Sequence, residues 1–194
     1  MTPRSRLLAR LSGESGYTLI EMVTVLAILG TVLGALVTVF VTGSNAEASL
    51  NTRFQAQLHA RTALDTMRRE VHCAKLVTIN STASVTLTLP TPTAGSLPCP
   101  TGTGAFTWRT CLVATSRYGF YRIPGANAAC GAAGAFLWAD YLVSANAFPA
   151  PTYYAPTATS RARLHVELPV NPRPTKPGTY TLVDDVVLQN SSTG

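Results

Sequence analysis

Between Pro3 and Pro90 the chain has no proline, although it holds 13 in 194 residues. Proline clashes with the preceding turn and removes a backbone donor, so its absence leaves room for one long helix. Charge is missing from the same region: between Glu14 and Glu47 only Glu21 is an acidic or basic residue. The four cysteines are sparse, with Cys99 and Cys111 the nearest pair at 12 residues and no C-x-x-C. That spacing argues against zinc. The neighbours His72 and Cys73 do not restore a site, because adjacent helical residues point in different directions. Neither G-x-S-x-G, H-E-x-x-H nor a Gly-rich phosphate loop occurs, so the sequence reads as that of a non-enzyme with no cofactor and no metal. Asp184-Asp185 is a weak calcium candidate, since strand neighbours face opposite ways.

What is there begins with an apolar run. Tyr17–Val41 spans 25 residues, enough to cross a hydrocarbon core of about 30 Å as a helix. Before it lies a polar leader, residues 1–16, with Arg4, Arg6 and Arg10 against Glu14. By the positive-inside bias the N-terminus is cytoplasmic, and everything after about Gly43 lies outside. Glu21 stands alone inside the run. A carboxylate in lipid costs about 2.5–3.5 kcal/mol on insertion scales, so it needs a partner or a task. Cys73, Cys99, Cys111 and Cys130 all follow the apolar run. In an exported domain an even count implies two disulfides with three possible connectivities. The most local pairing, Cys73–Cys99 and Cys111–Cys130, is the one expected.

Helical periodicity continues past the apolar run. Leu50, Phe54 and Leu58 recur at i+4, followed by Ala60, Leu64, Met67, Val71 and Ala74. The spacing predicts one helix from about Thr18 to Lys75, apolar all round in its first half and amphipathic in its second. Beyond it, Ser84–Leu89 alternates at period 2. Further strands are expected at Ala105–Thr115, Tyr118–Ile123, Ala135–Val143, Ala162–Leu168 and Tyr180–Gln189. Pro/Gly/Thr-rich loops at 90–104, 124–134, 149–159 and 169–178 separate them. An antiparallel sheet with one face against the amphipathic half-helix buries both, which gives an α+β fold. The expected divisions are a leader 1–16, a membrane helix 17–43, an amphipathic half-helix 44–79 and a β-rich extracytoplasmic domain 80–194.

The junction Gly16-Tyr17-Thr18-Leu19-Ile20-Glu21 resembles the start of type IV prepilins, Gly-Phe-Thr-Leu-Ile-Glu followed by an apolar helix, with Tyr17 replacing Phe. The strong match covers residues 13–43. The layout beyond it is similar in pattern to the pilin fold, and resembles the larger minor pilins of the PilW kind and the J-type pseudopilins of type II secretion. The resemblance implies cleavage after Gly16 by a prepilin peptidase and N-methylation of the new terminus at Tyr17. It implies that Glu21 pairs with the terminal amine of a neighbouring subunit. It also implies incorporation, through an inner-membrane assembly platform, into a filament of pilin or pseudopilin subunits. Gly16 suits an extended backbone in a protease. Gly30 and Gly34 form a G-x-x-x-G that lets helices approach closely in a filament core, where the resemblance also implies local loosening of the helix.

Three other readings compete. Ala46-Glu47-Ala48 looks like a secretory cleavage site, but an ordinary signal has an apolar stretch of about 7–15 residues and no embedded carboxylate. An uncleaved membrane-anchored surface protein explains the length of the run and not Glu21. A DNA-uptake pseudopilin would need a basic surface. Residues 80–194 carry seven basic and four acidic residues, a weak footprint. Tyr118, Tyr121, Tyr153 and Tyr154 could stack on bases or equally pack the sheet.

Overall fold

The computed structural model describes residues 17–91, 102–173 and 177–189. The chain divides into two units, one ending at Ser49 and the other beginning at Leu50. Helix α1, Leu19–Cys73, runs through 55 residues and crosses that division. Its ends fall close to those expected at 18 and 75. In the first unit its residues are exposed almost throughout, with only Ser49 half-buried. The hydroxyls of Thr24, Thr31, Thr38 and Thr42 all turn back onto carbonyls three or four residues earlier, at 2.8–2.9 Å. An apolar helix thereby satisfies its side-chain donors without water.

In the second unit α1 buries Ala56, Ala60, Ala63, Leu64, Met67 and Val71. Three alanines at this spacing let the backbone approach the sheet closely. The stripe differs from the expected one in its first turns. Leu50, Phe54 and Leu58 are 66%, 61% and 45% exposed. The apolar pattern changes phase between Leu58 and Ala60, and the sheet takes the alanine phase.

Among the described residues the sheet has eight strands: β1 Leu76–Ser81, β2 Ser84–Leu89, β3 Gly104–Ala114, β4 Arg117–Pro124, β5 Phe136–Leu142, β6 Tyr153–Tyr154, β7 Arg163–Val170 and β8 Tyr180–Val187. Their order is β1-β2-β3-β4-β5-β7-β6, with β8 on the other side of β7, and all pairings are antiparallel. This is the predicted α+β architecture, a long N-terminal helix against an antiparallel curled sheet. Six strands fall within two residues of their expected positions. β1 and the short β6 were not foreseen. β1 forms a hairpin with β2 through Thr82-Ala83, with Leu76 opposite Thr88 and Ser81 opposite Ser84.

Between β5 and β7 the ladder narrows to Leu142↔Val170, where Tyr141 adopts φ 64°. The segment after β5 closes the curl. Phe148 N donates to Thr82 O at 2.8 Å and Glu167 N donates to Ala147 O at 2.8 Å, so one loop ties the β1–β2 turn to β7. Phe148 is fully buried, 6.0 Å from Phe120, which in turn lies 5.1 Å from Trp108. These aromatics and Met67, Leu87, Leu164 and Leu168 form the core under α1.

Candidate functional site

The candidate site is the start of α1. Thr18 caps it: Glu21 N donates to Thr18 O at 3.0 Å and lies 3.4 Å from Thr18 Oγ1, while Met22 N donates to Thr18 O at 3.2 Å. Thr18 is therefore the N-cap and Glu21 the third helical residue, the Thr-x-x-Glu spacing of a capping box. This signature is present in the sequence and was overlooked there. It gives Glu21 a second, local task, because an acidic side chain in the first turn also complements the helix dipole. Capping does not explain the apolar run that follows. Ile20, Leu26 and Phe40 are all strongly exposed, and an 18-residue window reaches a mean hydropathy of 2.5 with none of it buried. By length and composition this helix can cross a membrane. Glu21 makes no ion pair among the described residues.

Gly30 and Gly34 sit in uninterrupted helix, and a side chain added at either would meet nothing within 4 Å. Within this chain neither glycine serves a packing contact. In the single chain the helix is continuous through both. Gly16, the expected scissile residue, and the rest of the leader lie outside the described residues. Tyr17 is described and is 80% exposed.

The cysteines divide similarly. Cys111 on β3 is bonded to Cys130 in the β4–β5 loop, with Cα atoms 5.8 Å apart. Cys73 at the end of α1 is disulfide-bonded. Cys99, its expected partner, lies outside the described residues. The Cys130 loop is also clamped by hydrogen bonds. Asn127 N donates to Thr86 Oγ1 at 3.0 Å, Ala128 N donates to Thr107 Oγ1 at 3.0 Å, and Arg109 Nη1 donates to Ala128 O at 2.8 Å. Buried threonines on the sheet thus supply acceptors for a loop that has no ladder of its own.

Asp184 and Asp185 do point to opposite sides, and each has a partner. Asp184 Oδ2 accepts from Arg68 Nη2 of α1 at 2.7 Å, and Asp185 Oδ1 lies 2.6 Å from His165 Nδ1. Among the described residues no group of three His, Cys, Asp or Glu forms a metal-binding cluster. Several of the basic residues weighed for DNA are engaged within the chain, Arg109 through Ala128 O among them, while Lys176 lies outside the described residues. Arg117 pairs with Asp140, Arg122 with Glu70, Arg161 Nη1 donates to Gln189 O, and Arg163 lies over the Tyr154 ring. Burial alone would raise the Asp140 carboxyl. Its bonds from Arg117 and from Tyr141 N outweigh burial and hold it below the ordinary aspartate value.

Glu70 escaped sequence reading altogether, since it looks like one more charge on a helix surface. It is fully buried. Its Oε2 accepts from Trp108 Nε1 at 2.6 Å and its Oε1 from Arg122 Nε at 2.6 Å. Arg122 in turn stacks on Phe106, 3.6 Å from the ring centroid.

Residues 11–37 match the family described as the prokaryotic N-terminal methylation motif. No curated protein and no solved structure matches the chain. The motif with its long apolar helix is consistent with a type IV pilin-like protein and points to a structural subunit. It implies processing by a prepilin peptidase and assembly with other pilin subunits.

Proposed function

We propose that this chain is a minor pilin or pseudopilin, cut after Gly16, N-methylated at Tyr17, and built into an extracytoplasmic filament through its apolar helix. One observation carries the reading: residues 19–41 are continuous helix, apolar on every side and exposed, with Glu21 in the first turn. A helix that is apolar all round needs lipid or other helices around it. A filament of like subunits supplies both in turn, membrane before assembly and neighbouring helices after. Cleavage at Gly16 would leave a cationic amine at Tyr17, one helical turn from Glu21. In a low-dielectric helix bundle an unpaired carboxylate is costly, so a neighbour's amine is a directional partner for it. Gly30 and Gly34, open in the single chain, would then serve close helix approach between subunits.

The curled domain supports a minor role. It carries disulfides and long loops, features of a specialised subunit. DNA uptake draws less support, because the arginines named above are committed to their own chain. The reading is tested by expressing the chain with a pilin assembly system and shearing the filaments. Recovery in the sheared fraction supports it. Exclusive retention in the membrane fraction returns the protein to a simple anchored surface role.

A further inference from the structure

Strand β8 is held from both faces by adjacent aspartates. Asp184 meets Arg68 of α1, and Asp185 meets His165 of β7. On the second face the arrangement has a consequence for protonation. His165 Nδ1 lies 2.6 Å from Asp185 Oδ1, and His165 Nε2 lies 3.2 Å from Glu167 Oε1. A neutral imidazole carries one N–H, so with two ionised carboxylates one ring nitrogen would face an oxygen lone pair to lone pair. Only the imidazolium donates to both. His165 is also the residue directly opposite Asp185 in the β7–β8 register, so its charge sits across the ladder from its partner.

The surroundings contain little that competes. From β8 the neighbours on this face are Asp185 and the flanking Val183 and Val187; from β6 comes Tyr154, opposite Arg163. On β7 itself the charged groups are Glu167 and Arg163, and Arg163 is placed over Tyr154, 5.1 Å from its centroid. The helix charges lie on the other face, where Arg68 takes Asp184.

We propose that His165 is a protonated clamp that fastens β8 to β7 and lets the strand loosen as the surroundings become alkaline. The Asp185 hydrogen bond raises the affinity of His165 for its proton; partial burial opposes this, and Glu167 adds to it. The sign follows from linkage. A histidine with a raised folded value contributes its full stabilisation below the unfolded value of about 6.5 and loses it as pH rises through the folded value. The clamp is therefore closed below about pH 6.5 and opens as pH rises through the folded value.

Two measurements on the full chain in detergent micelles test this. In a nitrogen-15 titration, both ring nitrogens of His165 are expected to carry protons at about pH 6.5, with a midpoint above that value. In hydrogen exchange, corrected for intrinsic base catalysis, β8 amides of the wild type should lose protection as pH rises from about 6.5 through the His165 midpoint. The fold-loss should equal ten raised to the displacement of the His165 midpoint. His165→Gln should abolish this dependence. A midpoint at or below about 6.5 overturns the clamp, as does an unchanged pH dependence in His165→Gln. The titration needs no variant, so it decides even if the substitution misfolds.

Discussion

Glu70 and Trp108 are joined across the helix–sheet interface, indole Nε1 to carboxylate Oε2 at 2.6 Å, and both side chains are fully shielded from water. The other oxygen of Glu70 takes Arg122, whose side chain is 17% exposed. Desolvating a carboxylate is costly, and two strong donors offset that cost here. The pairing fixes both the rotation and the axial position of α1 on the sheet. An alanine-rich stripe could otherwise slide by a turn.

Removing that carboxylate leaves Arg122 and the Trp108 N–H without their acceptor. Glu70→Ala should destabilise the second unit by about 3–5 kcal/mol. Glu70→Gln, which retains an acceptor for Trp108 but drops the charge, should fall between it and the wild type. Both tryptophans, Trp108 and Trp138, lie in this unit, so denaturant unfolding followed by their fluorescence reads the change. A loss under about 1 kcal/mol for Glu70→Ala would leave the apolar stripe as the sole anchor.

The Cys111–Cys130 bond closes a loop with a sequence separation of 19. On the chain-entropy estimate its removal should cost about 3 kcal/mol. Cys111→Ser with Cys130→Ser should therefore lower the unfolding midpoint and expose the 125–135 loop to protease. Hydrogen bonds from Arg109, Asn127 and Ala128 should keep the sheet beneath it intact. Non-reducing peptide mapping of the wild type should yield a Cys111–Cys130 peptide and a Cys73–Cys99 peptide. A Cys73–Cys111 peptide would contradict the pairing.

How far this was legible in the sequence depends on where each signal resides. The N-terminal methylation motif is a run of consecutive residues, and α1 is a proline-free periodicity, so both are local and readable. Six strands announced themselves by alternation between loops rich in Pro, Gly and Thr. β1 was lost because Leu76–Ser81 reads as a tail of the helix, and only pairing with β2 makes it a strand. β6 was lost because two tyrosines are too short to carry a period. Leu50, Phe54 and Leu58 misled because apolar periodicity shows that a face is apolar without showing what covers it. Glu70, identical in type to any solvated helix glutamate, is defined by Trp108 and Arg122, residues 38 and 52 positions away. Thr18-x-x-Glu21 was readable as a helix cap and was masked by the more conspicuous cost of a charge in lipid.

The local task of Glu21 and its proposed intersubunit pairing separate experimentally. Glu21→Ala should leave membrane insertion and cleavage intact, since the Thr18 cap uses the Glu21 backbone N–H rather than its side chain. Recovery in sheared filaments should fall severely. Glu21→Gln keeps the side-chain shape and should show the same loss if charge pairing is the cause. Normal incorporation of either variant would confine Glu21 to helix capping.

The most direct test is the mass of the chain after co-expression with a prepilin peptidase. The account predicts loss of residues 1–16, a product starting at Tyr17, and one added methyl group on its amine. Gly16→Leu should remain at precursor mass, because a bulky side chain would occupy the scissile position. An intact wild-type precursor, or a product starting after Ala48, would contradict it.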